Sequence, residues 1–171
     1  MEAILACTTK GGIGLKGKLP WRLKEDMKLF KTITTATSEN KRNTINAVIM
    51  GRKTWESILT KFRPLPNRYN IILSTTMKLE PSNQTFVVKS LEEAKLCLSK
   101  LPNLGKTFVI GGASIYTLFF KNNLINKVHL SMIQQPFECD RFFDMKLITD
   151  QFKMKHKQTY NTFVYFEYLK S

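Results

Sequence analysis

Two apolar runs each end on glycine and continue as a helical pattern. They are Val48-Ile49-Met50-Gly51-Arg52-Lys53-Thr54-Trp55 and Val109-Ile110-Gly111-Gly112-Ala113-Ser114-Ile115-Tyr116. A strand that turns straight into a helix cannot form a hairpin with the next strand. The chain must return by a crossover, which favours parallel pairing. Elsewhere the sequence keeps this rhythm. β-Branched and aromatic runs at 4–8, 47–50, 70–73, 85–88, 107–110, 127–133 and 161–168 read as strands, with a weaker one at 153–159. Helical patterns lie at 24–34, 53–59, 91–100 and 114–120. The first puts Met27, Phe30 and Ile33 on one apolar face. Ser90 N-caps the third, Glu92 and Glu93 fill its first turn, and Pro102 follows its end. Between the last two strands there is no room for a helix, so they pair antiparallel. The expected class is α/β: a central, mostly parallel twisted sheet of about eight strands, an antiparallel C-terminal hairpin and about four flanking helices.

The 171 residues fit one domain, 1–171. No apolar run approaches the ~20 residues of a membrane span. The N-terminus has no basic leader and reads as a first strand, not a signal peptide. Cys7, Cys97 and Cys139 are odd in number and form no CxxC pair, and His129 and His156 stand alone. A metal site is not expected, and free thiols fit a reducing, cytoplasmic setting. Net charge is +14, from 27 Lys and Arg against 13 Asp and Glu. A nucleic-acid footprint would cluster these cations on one face; they are spread along the chain instead. A lysine-rich solvated surface that helps steer small anions is the favoured reading, with neither nucleic acid nor membrane as partner.

A glycine-rich segment follows the first strand: Gly11-Gly12-Ile13-Gly14-Leu15-Lys16-Gly17-Lys18-Leu19-Pro20-Trp21. Asp26 comes five residues later. This order sets an acid behind a mobile flap. Asp26 is either a solvated surface acid beside Glu25 or a partly buried one. Its helical phase, four residues before Phe30 and beside Met27, favours burial. A carboxylate there can grip a planar amidine-like group through two parallel hydrogen bonds. Arg68 is either one basic residue among many or a guanidinium that holds a carboxylate bidentately at a cleft end. Each glycine turn taken singly is a tight connection or an anion cradle; two on one sheet can hold the two ends of a dinucleotide. Arg52 and Lys53 would suit an extra phosphate. No G-x-G-x-x-G, P-loop, G-x-S-x-G or H-E-x-x-H motif occurs.

In order and spacing, these pieces resemble the dihydrofolate reductase family. The matching motifs are Gly12-Ile13-Gly14, Leu19-Pro20-Trp21 and Asp26; the run from Val48 through Gly51-Arg52-Lys53-Thr54-Trp55 to Glu56-Ser57-Ile58; Arg63-Pro64-Leu65 with Arg68; Leu73-Ser74; Ile110-Gly111-Gly112 with Tyr116; and Phe137-Glu138, Asp140 and Phe142-Phe143. They cover essentially the whole chain. The resemblance implies NADPH-dependent reduction of 7,8-dihydrofolate to 5,6,7,8-tetrahydrofolate, with hydride to C6 and a proton to N5. This would supply one-carbon metabolism and thymidylate synthesis and make the protein an antifolate target.

By the same resemblance, Asp26 binds the pterin N3 and 2-amino groups, Trp21 holds a water nearby, and Ser131 takes the place of a supporting threonine. Ile4, Leu5, Ala6, Met27, Phe30, Ile58, Leu65, Ile110 and Tyr116 would line the pterin and benzoyl pocket, and Arg68 would bind the glutamate α-carboxylate. Ala6, Ile13, Thr54, Gly111, Gly112, Ala113, Ser114, Ile115 and Tyr116 would meet the nicotinamide and pyrophosphate. Gly51, Arg52, Lys53, Leu73, Ser74, Thr75 and Lys89 would meet the adenosine and 2′-phosphate side. Thr75 and Lys89 stand where relatives carry arginine, Leu59 where proline is usual after Ser57-Ile58, and Asp144 where proline often follows the paired phenylalanines. A cis peptide is expected at Gly111-Gly112. The implied state is a monomer, unless the chain is the reductase part of a fusion with thymidylate synthase. Two other readings compete. A reductase acting on a pyrimidine intermediate of flavin synthesis gives no use for Asp26 or Arg68. A non-catalytic basic binding protein gives none for the Trp21–Asp26 spacing.

Overall fold

Crossovers dictated by the glycine turns build one sheet. The structure, a computed structural model, describes residues 1–80 and 82–171. In chain order its elements are β1 (Glu2–Thr8), β2 (Gly12–Gly14), α1 (Lys24–Thr35), β3 (Ile45–Gly51), α2 (Arg52–Ser57), a 3₁₀ turn (Thr60–Phe62), β4 (Arg68–Leu73), β5 (Thr85–Val88), α3 (Leu91–Lys100), β6 (Leu104–Val109), α4 (Ala113–Lys121), β7 (Lys127–Ile133), β8 (Arg141–Phe142), α5 (Lys146–Thr149), β9 (Phe152–Thr159) and β10 (Phe163–Lys170). Eight strands form the main sheet in the order β5-β4-β3-β6-β1-β7-β10-β9. The pairs from β5 to β7 are parallel, and β10 is antiparallel to both β7 and β9.

Several details depart from the sequence expectation. The helix expected at 53–59 stops at Ser57, because Arg63 Nη1 bonds the Trp55 and Ile58 carbonyls at 2.9 and 3.2 Å and turns the chain into the 3₁₀ segment. The last strand runs two residues later than 161–168. A small second sheet, β2 with β8, and the one-turn helix α5 were not anticipated. Ser90 caps α3 as expected: its Oγ accepts from Glu93 N at 3.1 Å, and the Glu93 carboxylate accepts from Lys89 N at 2.7 Å.

Two apolar layers sandwich the sheet. Leu5, Cys7, Ile49, Ile71, Val109 and Phe119 belong to one, with α3 and α4. Ile4, Val48, Met50, Ile72 and Phe108 belong to the other, with Phe30 and Ile33 of α1 packed against them. Each large side chain fully buried here contributes about 1.5–3 kcal/mol. Met27 does not join Phe30 and Ile33 in the core; it is 52% exposed.

Polar side chains cross the lower part of the α1 layer. Glu2 Oε2 and Tyr165 Oη each lie 2.6 Å from a ring nitrogen of buried His129, and Glu167 bonds Lys127 at 3.0 Å. Burial alone would raise the Glu2 pKa, but the His129 hydrogen bond and the charges of His129, Lys106 and Lys127 outweigh it and lower it. Glu167 is lowered in the same way, against its burial, chiefly by Lys127. Depressed carboxylates stabilise the fold above their ordinary pKa, and that stability is lost as pH falls through the folded values. Glu2→Gln should therefore cost on the order of 1–3 kcal/mol near neutrality and less in acid. Urea titrations across pH check this; parallel wild-type and variant curves would contradict it.

Candidate active site

α1 begins just after Trp21, so the first turn of the helix brings Asp26 back over the end of β1. The helix also sets Asp26 opposite Ser131 of β7, which pairs with Ala6 of β1. Asp26 is half-buried. Burial raises its pKa from the ordinary carboxylate range, and the nearby Ser131 hydroxyl partly opposes this. A partly desolvated carboxylate, shifted by burial with no cation among the causes, is poised to take a proton or a hydrogen-bonding cationic ring. Beside it, Trp21 is 6% exposed, and its buried Nε1 has no hydrogen-bond partner among the described residues. That donor needs a polar partner from a water or a ligand.

The cleft wall mixes layers. Ile4, Phe30, Ile58, Leu65 and Ile110 come together in the α1 layer. Tyr116 reaches through from the other side: it is fully buried, and its hydroxyl donates to Ile4 O at 2.7 Å. Burial raises its pKa above the normal phenol range. Its ring meets Phe143 edge-on at 5.8 Å. Leu5 departs from the expectation. Its side chain is 4% exposed and packs in the opposite layer, because alternate residues of a strand face opposite ways.

Arg68 opens β4, at the end of the sheet away from the glycine turns. It is 3% exposed. Nη1 donates to Thr34 Oγ1 and Nε to Pro66 O, each at 2.9 Å. Nη2 has no partner among the described residues. Desolvation lowers the pKa of this guanidinium, though an arginine stays cationic. A buried cation with one free terminal nitrogen calls for an anion.

At the other end the two glycine turns are stitched together. Gly51 N donates to Gly111 O at 2.8 Å, and Ile110 N to Ile49 O at 2.9 Å. The Gly111-Gly112 peptide is cis, as expected; Arg63-Pro64, not anticipated, is cis too. Gly111 has φ +116°, and a Cβ there would lie 3.1 Å from the Tyr116 ring. A Cβ on Gly51 would lie 3.0 Å from Ile115. Glycine is therefore demanded by backbone conformation at Gly111, while at Gly51 a side chain would have to push Ile115 aside. Around it, Thr54, Ala113 and Ser114 begin the two helices, and Ile13 stands on β2.

The outer residues are less tightly gathered. Arg52 bonds Glu56 at 2.7 Å and Thr76 Oγ1 at 2.9 Å. Ser74 Oγ accepts from Thr76 N and Met77 N at 3.3 and 3.1 Å, closing the turn after Leu73. Lys53, Thr75 and Lys89 are exposed. The flap is tied down by a segment the sequence reading had matched only as a motif. Gly14 O accepts from Asp140 N, and Gly11 O from Phe143 N, each at 2.8 Å. The clue lay in Asp140 and the paired phenylalanines, whose partner strand is 128 or so residues distant. Among the described residues no helix is long and apolar enough to cross a membrane.

Comparisons with known proteins bear on the whole chain. A family model described as dihydrofolate reductase matches residues 1–168. A putative dihydrofolate reductase of Caenorhabditis elegans is 43% identical over 143 residues, 82% of this chain and 75% of that protein. The dihydrofolate reductase of Candida albicans is 44% identical over 140 residues, 80% of this chain and 71% of that protein. A bifunctional dihydrofolate reductase-thymidylate synthase of Zea mays is 42% identical over 146 residues; these cover 82% of this chain but 28% of that protein.

Proposed function

The chain belongs to the dihydrofolate reductase family, and on that premise we propose that it reduces 7,8-dihydrofolate to 5,6,7,8-tetrahydrofolate with NADPH. When bound, NADPH would supply the hydride that C6 of the pterin accepts, and N5 would take a proton from solvent. The observation that carries this reading is the half-buried Asp26 with its raised pKa, set beside Trp21 and Ser131. Its two oxygens take the pterin N3 and 2-amino groups. By holding that ring, Asp26 favours the protonated, hydride-accepting form of N5. Trp21 Nε1 orders the water that links the site to solvent, and Ser131 steadies the carboxylate.

Phe30, Ile58 and Leu65 exclude water from the benzoyl end, and Arg68 holds the glutamate α-carboxylate through its free nitrogen. The stitched glycine turns, each leading into a helix, suit the pyrophosphate of a dinucleotide. Arg52, Lys53, Ser74 and Lys89 favour a 2′-phosphate, hence NADPH over NADH. The enzyme acts as one reductase domain, monomeric unless joined to a thymidylate synthase, in the cytoplasm. The test is loss of reduced-nicotinamide absorbance with dihydrofolate, comparing NADPH with NADH. Turnover that needs dihydrofolate and prefers NADPH is expected. No turnover with dihydrofolate would overturn the reading.

A further inference from the structure

Glu2 of β1, His129 of β7 and Tyr165 of β10 form a line of polar side chains that the reduction does not use. Nε2 of His129 lies 2.6 Å from Glu2 Oε2, and Nδ1 lies 2.6 Å from Tyr165 Oη. Glu2, with its depressed pKa, is a carboxylate and can only accept, so it takes the Nε2 proton. Nδ1 then anchors Tyr165 in either charge state of the imidazole. A neutral ring accepts the Tyr165 hydroxyl proton. A protonated ring donates Nδ1–H to Tyr165 Oη, and the hydroxyl proton goes to Glu167 Oε2 at 3.3 Å. Burial, aided by the Glu167 charge, raises the Tyr165 pKa, so the phenol keeps that proton.

Strand register gives this anchor a use. Tyr165 pairs directly with Ser131, while His129 pairs with Glu167. The Tyr165 side chain therefore leans along β7 from Ser131 toward His129, and the two rings lie 16° from parallel at 6.1 Å. Side chains directly opposite on paired strands have Cβ atoms about 4.5–5.5 Å apart, so Tyr165 fills the space beside Ser131. Serine is not β-branched, and its hydroxyl has three staggered positions to choose from. A fixed neighbour narrows that choice. Tyr165 also shares an apolar cluster with Trp21, against which Leu29 and Ile33 of α1 pack. One ring thus supports both the strand that carries Ser131 and the helix that carries Asp26.

We propose that Tyr165, anchored through His129 to Glu2, is a positioning residue for Asp26: it holds the Ser131 hydroxyl against the carboxylate. The consequence for turnover rests on the reductase reading; the brace itself belongs to the free protein. Burial and the Ser131 hydroxyl govern the ionisation of Asp26, with no charged side chain contributing. The charged and titratable groups around the brace are the Met1 amino group, Lys106 of β6, Lys127 of β7, Glu167 of β10 and His156 of β9. Freeing Ser131 removes what opposes burial, so Asp26 should become a weaker acid.

The experiment is a pH titration of the Asp26 carboxyl carbon by NMR in the whole protein, its signal identified by its loss in Asp26→Asn. Wild type is compared with Tyr165→Phe, Ser131→Ala and the double variant. Tyr165→Phe keeps the ring and removes the anchor. It should weaken Asp26 as an acid about threefold, as should Ser131→Ala, and the double variant should add nothing to Ser131→Ala. The inflection of kcat against pH should move alkaline by the same factor, with KM for NADPH unchanged. His129→Phe breaks the anchor from its other end and should move Asp26 in the same direction, which keeps the test decisive if Tyr165→Phe folds poorly. An unmoved Asp26 titration in the folded variants, even with a lower Tm, would overturn the proposal by leaving Tyr165 a structural role alone. A double variant in which the two changes add would overturn it too. The expected Asp26 titrations in a protein that does not turn over dihydrofolate would support the brace and overturn the reductase reading.

Discussion

Asp26→Asn is expected to lower kcat/KM for dihydrofolate about 10²–10⁴-fold near neutral pH, the range for loss of a positioned acid–base group. The loss should shrink in acid. Asparagine still hydrogen-bonds the ring but, being uncharged, no longer favours the protonated form of N5, so protonation of N5 by solvent must be driven by acid. In the wild type, burial raises the Asp26 pKa, so the proton is retained to higher pH than an ordinary carboxylate would allow. Wild-type rate should fall as pH rises through that raised value. The variant should lack this inflection and decline steadily from the acid side.

Stability separates this from a folding defect. A carboxylate with a raised folded pKa disfavours the fold once it is ionised, above its unfolded pKa. Asparagine removes that cost, so the variant should melt no lower than wild type near neutrality. A loss of activity that is the same at every pH, or that tracks a drop in Tm, would contradict the role given to Asp26.

The second large effect is expected at Arg68. Arg68→Leu should weaken binding of folates with a glutamate tail by about 2–5 kcal/mol, roughly thirty-fold or more. Flat diaminopyrimidine ligands without the tail should bind nearly as before, since Asp26 and the pocket around Phe30 remain. Leucine also leaves Thr34 Oγ1 and Pro66 O without their partner, so some loss of Tm should accompany it. Arg68→Lys separates the two contributions. It keeps a positive charge but not the planar fork, and should restore only part of the affinity. Titrations of both ligand classes against all three proteins check this. Equal weakening for tailed and tail-less ligands would show that the change acts through the shape of the pocket.

Local signals carried the site far into the sequence. The glycine turns are local, because the residues that cap a strand, cradle an anion and open a helix are neighbours in the chain. The partial burial of Asp26 was legible from helical phase, although Met27, on which that phase argument also leaned, is exposed. A resemblance names positions, while strand alternation decides which face each side chain serves: the Leu5 side chain lies in the layer opposite Ile4. What stayed hidden depends on long-range pairing. Nothing near Gly12 announces that it will pair with Phe142. His129 reads as isolated, yet it meets Glu2, 127 residues away in sequence, because β1 and β7 lie side by side. The end of α2 was hidden for a different reason: the side chain that ends it, Arg63, lies just beyond the helix and folds back on the Trp55 and Ile58 carbonyls.

A crystal structure of the ternary complex with folate and NADP⁺ tests the central claim most directly. Both Asp26 oxygens should lie within hydrogen-bond distance of ring N3 and the 2-amino group, with the nicotinamide ring over C6. An Asp26 carboxylate turned toward bulk water, remote from the bound ring, would contradict the account.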